Sequence, residues 1–230
     1  MKVAIVTYAE GPARYIESQK QQAQNLKDVG YDGDYFAFNS PEQIGCPPHS
    51  VVPYAFKPFA MAKVMEMGYD IVIWMDSVIQ PIKPITGVIS HLVAYGDLFF
   101  DNPQWTIGDY TSDECLEYFS LTRDESFRIP MIMACVMGLD MRRPMSQLFF
   151  QQYHKAAQDK VAYQGPWKYE DKVTPYYGKR ILGTRHDQSA ASCIVHKLGL
   201  PLLIGHETFF TYEAHKGMTP VAESVCLVSR

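Results

Sequence analysis

Residues Tyr69–Pro84 read YDIVIWMDSVIQPIKP, and the assignment of this stretch decides the fold. Ile71–Met75 is an unbroken apolar run, too short for a helix and rich in Ile, Val and Trp. Such a run reads as a strand buried on both faces, which requires a parallel sheet covered by helices on either side. At its carboxyl end it delivers a carboxylate, Asp76, and then a hydroxyl, Ser77. Open α/β sheets keep their ligands at that end, so Asp76 and Ser77 are candidate binding residues as well as ordinary strand-end turn formers. Trp74, inside the run, reads as core rather than as a stacking platform.

Working outward, KVAIVTY (2–8) is a first buried strand, followed by the loop AEG and a helix opening at Pro12. In that helix Ala13, Ile16, Ala23, Leu26 and Val29 recur at helical spacing, and Gly30 stops it. DGDYFAFN supplies a second strand, and the Pro-rich stretch 40–53 reads as a loop over the sheet. FKPFAMAKVMEMGYD opens a helix with Pro58 in its first turn and feeds the strand that ends at Asp76. Beyond it the pattern predicts a helix from Thr86 to Tyr95, a short strand DLFF, an unassigned acidic segment 101–128, and a strand MIMACVMGLD. An amphipathic helix follows Pro144, then a long loop 159–183, a helix entered through RHDQSAAS, and closing strands PLLIG and HETFFTY.

The chain of 230 residues reads as one α/β domain spanning 1–230, without repeats or linkers. Its net charge of -4 offers no basic field for nucleic acid, although a local pocket of Lys and Arg could hold a small phosphate ligand. Cys46, Cys115, Cys135, Cys193 and Cys226 form no CxxC pair and leave an odd one over, which suits a reduced compartment and argues against thiolate zinc. No run approaches the ~20 apolar residues of a membrane span, so no integral membrane segment is expected and a cytoplasmic location is read.

Beyond the strand end, two polar clusters can carry chemistry. Lys57 lies at a helix start, where backbone N–H groups and the helix dipole already favour an anion such as a diphosphate; the alternative is an ordinary surface lysine. Arg185-His186-Asp187-Gln188 opens the last clear helix: Asp187 could serve only as its N-cap, but four consecutive polar residues exceed what a cap requires. Arg185 is a natural phosphate partner, and His186 could equally be a hydrogen-bonded structural residue. His91, His154 and His196 read as surface residues of helices.

In order, YAFKPFAMAKVMEMGYDIVIWMDSVIQPIKPI, CVMGLDMRRPMSQLFFQQYHKAAQ and RHDQSAAS resemble the central segment, acceptor-side strand and helix, and late acidic helix entry of GT-A-type nucleotide-sugar glycosyltransferases. The resemblance implies a GT-A-like, Rossmann-type, mainly parallel central sheet flanked by helices. It implies that Thr7, Tyr8, Ala9 and Glu10 meet the nucleotide base and ribose. It also puts Asp76 at the first acidic position of the family's DxD motif, which holds a divalent cation, Mn2+ or Mg2+, against the diphosphate. Val78 stands where the second acid belongs, and a hydrocarbon cannot ligate such ions. Either Asp76 shares a metal with Asp187 or His186, or Lys57 and Arg185 neutralise the leaving group without one.

The activity implied is transfer of a hexosyl or deoxyhexosyl group from a nucleotide-diphosphate sugar to a carbohydrate hydroxyl. Asp187 is then the candidate base with His186 beside it, or, if configuration is retained, Asp187 or Gln188 only orients the sugar. Aromatic residues of the long loop, Tyr163, Trp167, Tyr169, Tyr176 and Tyr177, would cover a sugar ring or simply pack the loop down. Two rivals remain: a sugar-phosphate nucleotidyltransferase, for which the phosphate loop YAEGPARY is poor in glycine, and a non-catalytic nucleotide- or sugar-binding domain.

Overall fold

A computed structural model of the chain describes residues 1–166, 174–176, 179–204, 208–212 and 225–229. The apolar run is strand β3 (Ile71–Met75), buried at every residue. It lies in the middle of a five-stranded sheet of order β2-β1-β3-β6-β5, built with β1 (Val3–Tyr8), β2 (Asp34–Phe38), β5 (Asp97–Thr106) and β6 (Pro130–Asp140). β1 pairs in parallel with both β2 and β3, while β6 runs antiparallel to both β3 and β5, so four of the five strands share one direction. The expected mainly parallel sheet is present, with β6 as its one antiparallel member.

Period-two alternation sends Val72 and Trp74 to one face and Ile71, Ile73 and Met75 to the other. The first face is covered by α3 (Phe56–Met65), α7 (Pro144–Asp159) and α8 (Asp187–Leu198). The second is covered by α1 (Ala13–Asp28), α4 (Thr86–Tyr95) and a small sheet of β4 (Ile79–Pro81), β9 (Phe210–Tyr212) and β10 (Leu227–Ser229). With each fully buried Ile, Val or Phe contributing about 1.5–3 kcal/mol, a sheet covered on both faces is what so apolar a β3 demands.

Several expectations are corrected. The loop 40–53 contains a short helix, α2 (Pro41–Ile44), closed by Gly45 in the left-handed conformation. The unassigned segment 101–128 holds the tail of β5, α5 (Asp113–Tyr118) and α6 (Arg123–Ser126). Loop 159–183 contains a hairpin, β7 (Thr174–Tyr176) with β8 (Lys179–Ile181). The described residues of PLLIG, 201–204, form no strand, and Leu203 joins the main sheet through an isolated bridge to Phe100. His91 and His154 are half-buried, against Tyr95 and Phe209 and against Phe59 and Phe150 respectively, because aromatic neighbours cover them; His196 is exposed as expected.

Helix α1 departs most from its sequence pattern. Ala13 is exposed and Ile16 and Ala23 are half-buried, while Gln19, Gln22 and Leu26 form the buried face. Amides face inward because α1 packs on carbonyls rather than on a purely apolar surface: Gln22 donates to Asp76 O and Ile79 O, and Gln19 donates to Phe38 O. Among the described residues no helix is long and apolar enough to cross a membrane.

Candidate functional site

Chain order leaves β1 for β2 on one side and returns to β3 on the other, so the carboxyl ends of β1 and β3 border the switch point of the sheet. A cavity of about 760 Å³ opens there. Its described lining comes from the end of β1 (Tyr8, Ala9, Glu10, Gly11), Tyr15 of α1, the 48–56 segment (His49, Tyr54 and Phe56 among it), Lys57, and Asp76, Ser77 and Val78.

At its floor three distant segments meet. Lys57 Nζ lies 3.1 Å from Asp76 Oδ1 and 2.9 Å from Asp187 Oδ2, and donates to Ala134 O at 3.0 Å. The ammonium is also 5.7 Å from the ring centres of both Tyr54 and Trp74. Trp74 Nε1–H donates to Asp76 Oδ1 at 2.8 Å, and the Asp76 backbone N–H donates to Cys135 O at 2.8 Å. Strand β6 therefore holds both members of the cavity-facing pair, Lys57 through Ala134 and Asp76 through Cys135. The turn after Asp76 is gripped by α1: Ser18 donates to Ser77 O, and Gln80 returns hydrogen bonds to Ser18 and to Ser77 O.

Burial and charge oppose each other in this cluster. Burial alone would lower the Lys57 pKa, but the charges of Asp187 and Asp76 outweigh it and raise it, so the side chain stays an ammonium. Asp187 is pushed up to about 6 by burial, against the pull of Lys57. At the rim, the rings around His49 desolvate it and lower its pKa, and burial next to Asp187 pushes Tyr54 up to about 12. Tyr8 stacks on Phe56 with ring centres 4.5 Å apart and donates its hydroxyl to Glu10 at 2.6 Å.

Of the residues singled out in the sequence, Tyr8, Ala9, Glu10, Lys57, Asp76 and Ser77 share this cavity. Thr7 is wholly buried behind it, its hydroxyl without a partner among the described residues. Asp187 reaches the cluster from below: it is 3 % exposed, outside the described lining, and engaged by Lys57. It is not the N-cap of α8. His186 holds that place, in the left-handed region at φ 45°, with no side-chain cap. Its Nδ1 sits 2.8 Å from Tyr163 O, and since a carbonyl only accepts, Nδ1 carries the proton. The His186 ring stacks near Tyr54, 6.0 Å between centres, which puts it behind the cavity wall.

Arg185 and Gln188 turn elsewhere. The Arg185 guanidinium lies 4.6 Å over the Tyr110 ring, with no carboxylate paired to it among the described residues. Gln188 donates to Ile132 O at 2.6 Å, stitching α8 to β6 as Ser192 does through Ile132 N. Tyr163 is wholly buried and packs the core rather than covering a ligand. Trp167, Tyr169 and Tyr177, and the side chain of Tyr176, lie outside what is described. The sequence reading missed Tyr15, His49, Tyr54 and Phe56; only the Pro-rich composition before Tyr54 signalled a loop over the sheet.

Among the described residues the donor set does not suit a divalent cation. Asp76 is the carboxylate at the end of β3, its Oδ1 already accepts from Trp74 and Lys57, Asp187 is turned away onto Lys57, Glu10 accepts from Tyr8, and Val78 lines the cavity with hydrocarbon. Among the described residues no cluster of three metal-ligating side chains forms.

No family model matches the sequence, and no curated protein matches it. Solved structures do. The chain superposes over its full length on an apo structure of WbbM, described as a bifunctional glycosyltransferase, with a TM-score of 0.54 and 8% identity, spanning 45% of that chain. It matches equally a glycosyltransferase involved in glycosylation of the major capsid of PBCV-1, with a TM-score of 0.53 and 11% identity, spanning 93% of that chain. At such identities the likeness is one of architecture: the chain has the GT-A-like α/β fold of these glycosyltransferases.

Proposed function

We propose that the protein is a glycosyltransferase that moves a sugar from a nucleotide-diphosphate donor to a carbohydrate hydroxyl. The observation that carries this reading is the cavity of about 760 Å³ at the switch point, with Asp76 facing into it and Lys57 bracing that carboxylate from behind. The volume suits a nucleotide sugar, and the aromatic surfaces of Tyr8, Tyr54 and Phe56 suit a base or a sugar ring. Helix α1 begins at this cavity with no side chain among the described residues capping its first-turn N–H groups, which leaves donors for a diphosphate; α3 adds little, because Lys57 N–H already donates to Tyr54 O and Pro58 has no N–H. Arg14, exposed in the first turn of α1 and stacked 4.8 Å over the lining residue Tyr15, adds a cation at the rim.

In the transfer the bond from the anomeric carbon to the diphosphate oxygen breaks, the bond to the acceptor oxygen forms, and the acceptor's proton passes to a base. Asp76, with one oxygen held by Trp74 and Lys57, keeps the other for sugar hydroxyls or for that proton. Asp187, the base expected from sequence, is here a positioning residue acting through Lys57, since it is buried beneath it.

The test is incubation of the protein with a panel of UDP-, GDP-, ADP- and dTDP-sugars, with and without carbohydrate acceptors. Release of nucleotide that rises with acceptor is the expected result. Binding of donors without release from any of them would favour a non-catalytic nucleotide-sugar-binding domain.

A further inference from the structure

We infer that the ammonium of Lys57 is the built-in cation of this site and that donor turnover needs no divalent metal. The inference rests on the sugar-transfer reading of the cavity and concerns how its charge is balanced. Lys57 Nζ has an oxygen partner for each of its three protons: Asp76 Oδ1 at 3.1 Å, Asp187 Oδ2 at 2.9 Å and Ala134 O at 3.0 Å. Two carboxylates and a backbone carbonyl converging on one point are the hard oxygen ligands that a divalent cation also selects. Here a covalently tethered ammonium occupies that point, only 4 % exposed, roofed by the Tyr54 and Trp74 rings.

Those three contacts leave little for a second cation. A metal on the free oxygen of Asp76 would share a single carboxylate with Lys57 and Trp74, and among the described lining residues Val78 offers no oxygen and the Glu10 carboxylate already accepts from Tyr8. Two like charges sharing one carboxylate repel each other most where the site is shielded from water, as Lys57 is. The cluster of Lys57, Asp76 and Asp187 carries at most one net negative charge. It therefore suits neutral hydroxyl groups of a sugar, held by Asp76, and leaves the diphosphate to the N-terminus of α1.

The experiment has two independent readings. Free Mn2+ is followed by electron paramagnetic resonance as it is titrated into the wild-type protein and into Asp76→Ala. The wild type is expected to bind no more Mn2+ than Asp76→Ala does; a stoichiometric, saturable site present in wild type and lost in Asp76→Ala overturns the inference. Turnover of whichever nucleotide sugar is consumed is then compared in EDTA, Mg2+ and Mn2+, where rates agreeing within about twofold are expected for a site whose cation is a side chain. A loss of about tenfold or more in EDTA, restored by Mn2+, overturns the inference while leaving the transferase reading intact. Absence of turnover with every donor removes the transferase reading, and the Mn2+ titration still decides the metal question.

Discussion

Lys57 is the residue whose loss the site should tolerate least, because two carboxylates depend on it. Lys57→Met leaves Asp187 buried with no counter-charge and is expected to destabilise the protein by about 3–5 kcal/mol in urea unfolding. The double variant Lys57→Met/Asp187→Leu removes both buried charges and should recover most of that loss; a double variant no more stable than the single one would refute the pairing. Asp97 shows the opposite case, a carboxylate buried at 5 % exposure without a partner for Oδ1 among the described residues, and burial pushes it from 3.8 up to about 6. Its folded pKa is raised, so between those values the folded state keeps a proton that the unfolded chain has lost, and stability falls as pH rises through that window. Asp97→Asn should therefore stabilise the protein by on the order of 1–3 kcal/mol near about pH 7.5, with the gain shrinking toward about pH 4.5, as thermal unfolding would register. Asp76 was readable from sequence because the apolar run before it fixes a buried strand and hence a strand end. The partnership of Lys57 with Asp187 was not, since 130 positions separate them in the chain and nothing local distinguishes an ion-paired lysine from a surface one.

At the scale of elements, the site is held from both sides of the sheet. Helix α1 clamps the 76–79 turn with Gln22, whose amide donates to two carbonyls and accepts from Tyr35. Gln22→Leu keeps the volume and strands those carbonyls, for an expected cost of about 1–3 kcal/mol and a lowered kcat, read by denaturation and by donor turnover. Farther along the face that α1 covers, Gly138 of β6 lets α4 approach: a Cβ built there would sit 2.8 Å from Leu92 Cδ1. Gly138→Ala is expected to lower the melting temperature through an overpacking cost of about 1–3 kcal/mol. Helices α4 and α7 were legible because their apolar residues recur against apolar partners. The orientation of α1 was not, because its buried Gln19 and Gln22 answer to backbone carbonyls that no hydropathy pattern reveals. The three-residue strands β4 and β10 are too short to carry any period at all.

For the whole molecule, topology places the candidate site: the sheet order β2-β1-β3-β6-β5 puts the switch point between β1 and β3, and Lys57, Asp76 and Asp187 converge there from α3, the end of β3 and α8. A donor bound at that point should stabilise the fold by mass action, about 2.7 kcal/mol at a hundredfold excess over Kd, visible as a rise in melting temperature that Asp76→Asn reduces. The general architecture was legible because a buried apolar strand followed by a carboxylate dictates a covered sheet with a ligand edge. The aromatic wall of the cavity was not, because the loop that supplies His49 and Tyr54 has no repeating pattern. The most direct test of the account compares kcat/KM for nucleotide-sugar consumption in the wild type and in Asp76→Asn, with folding of the variant verified by circular dichroism. The account predicts a fall of about a hundredfold or more in a variant that remains folded. Undiminished turnover in folded Asp76→Asn would contradict it.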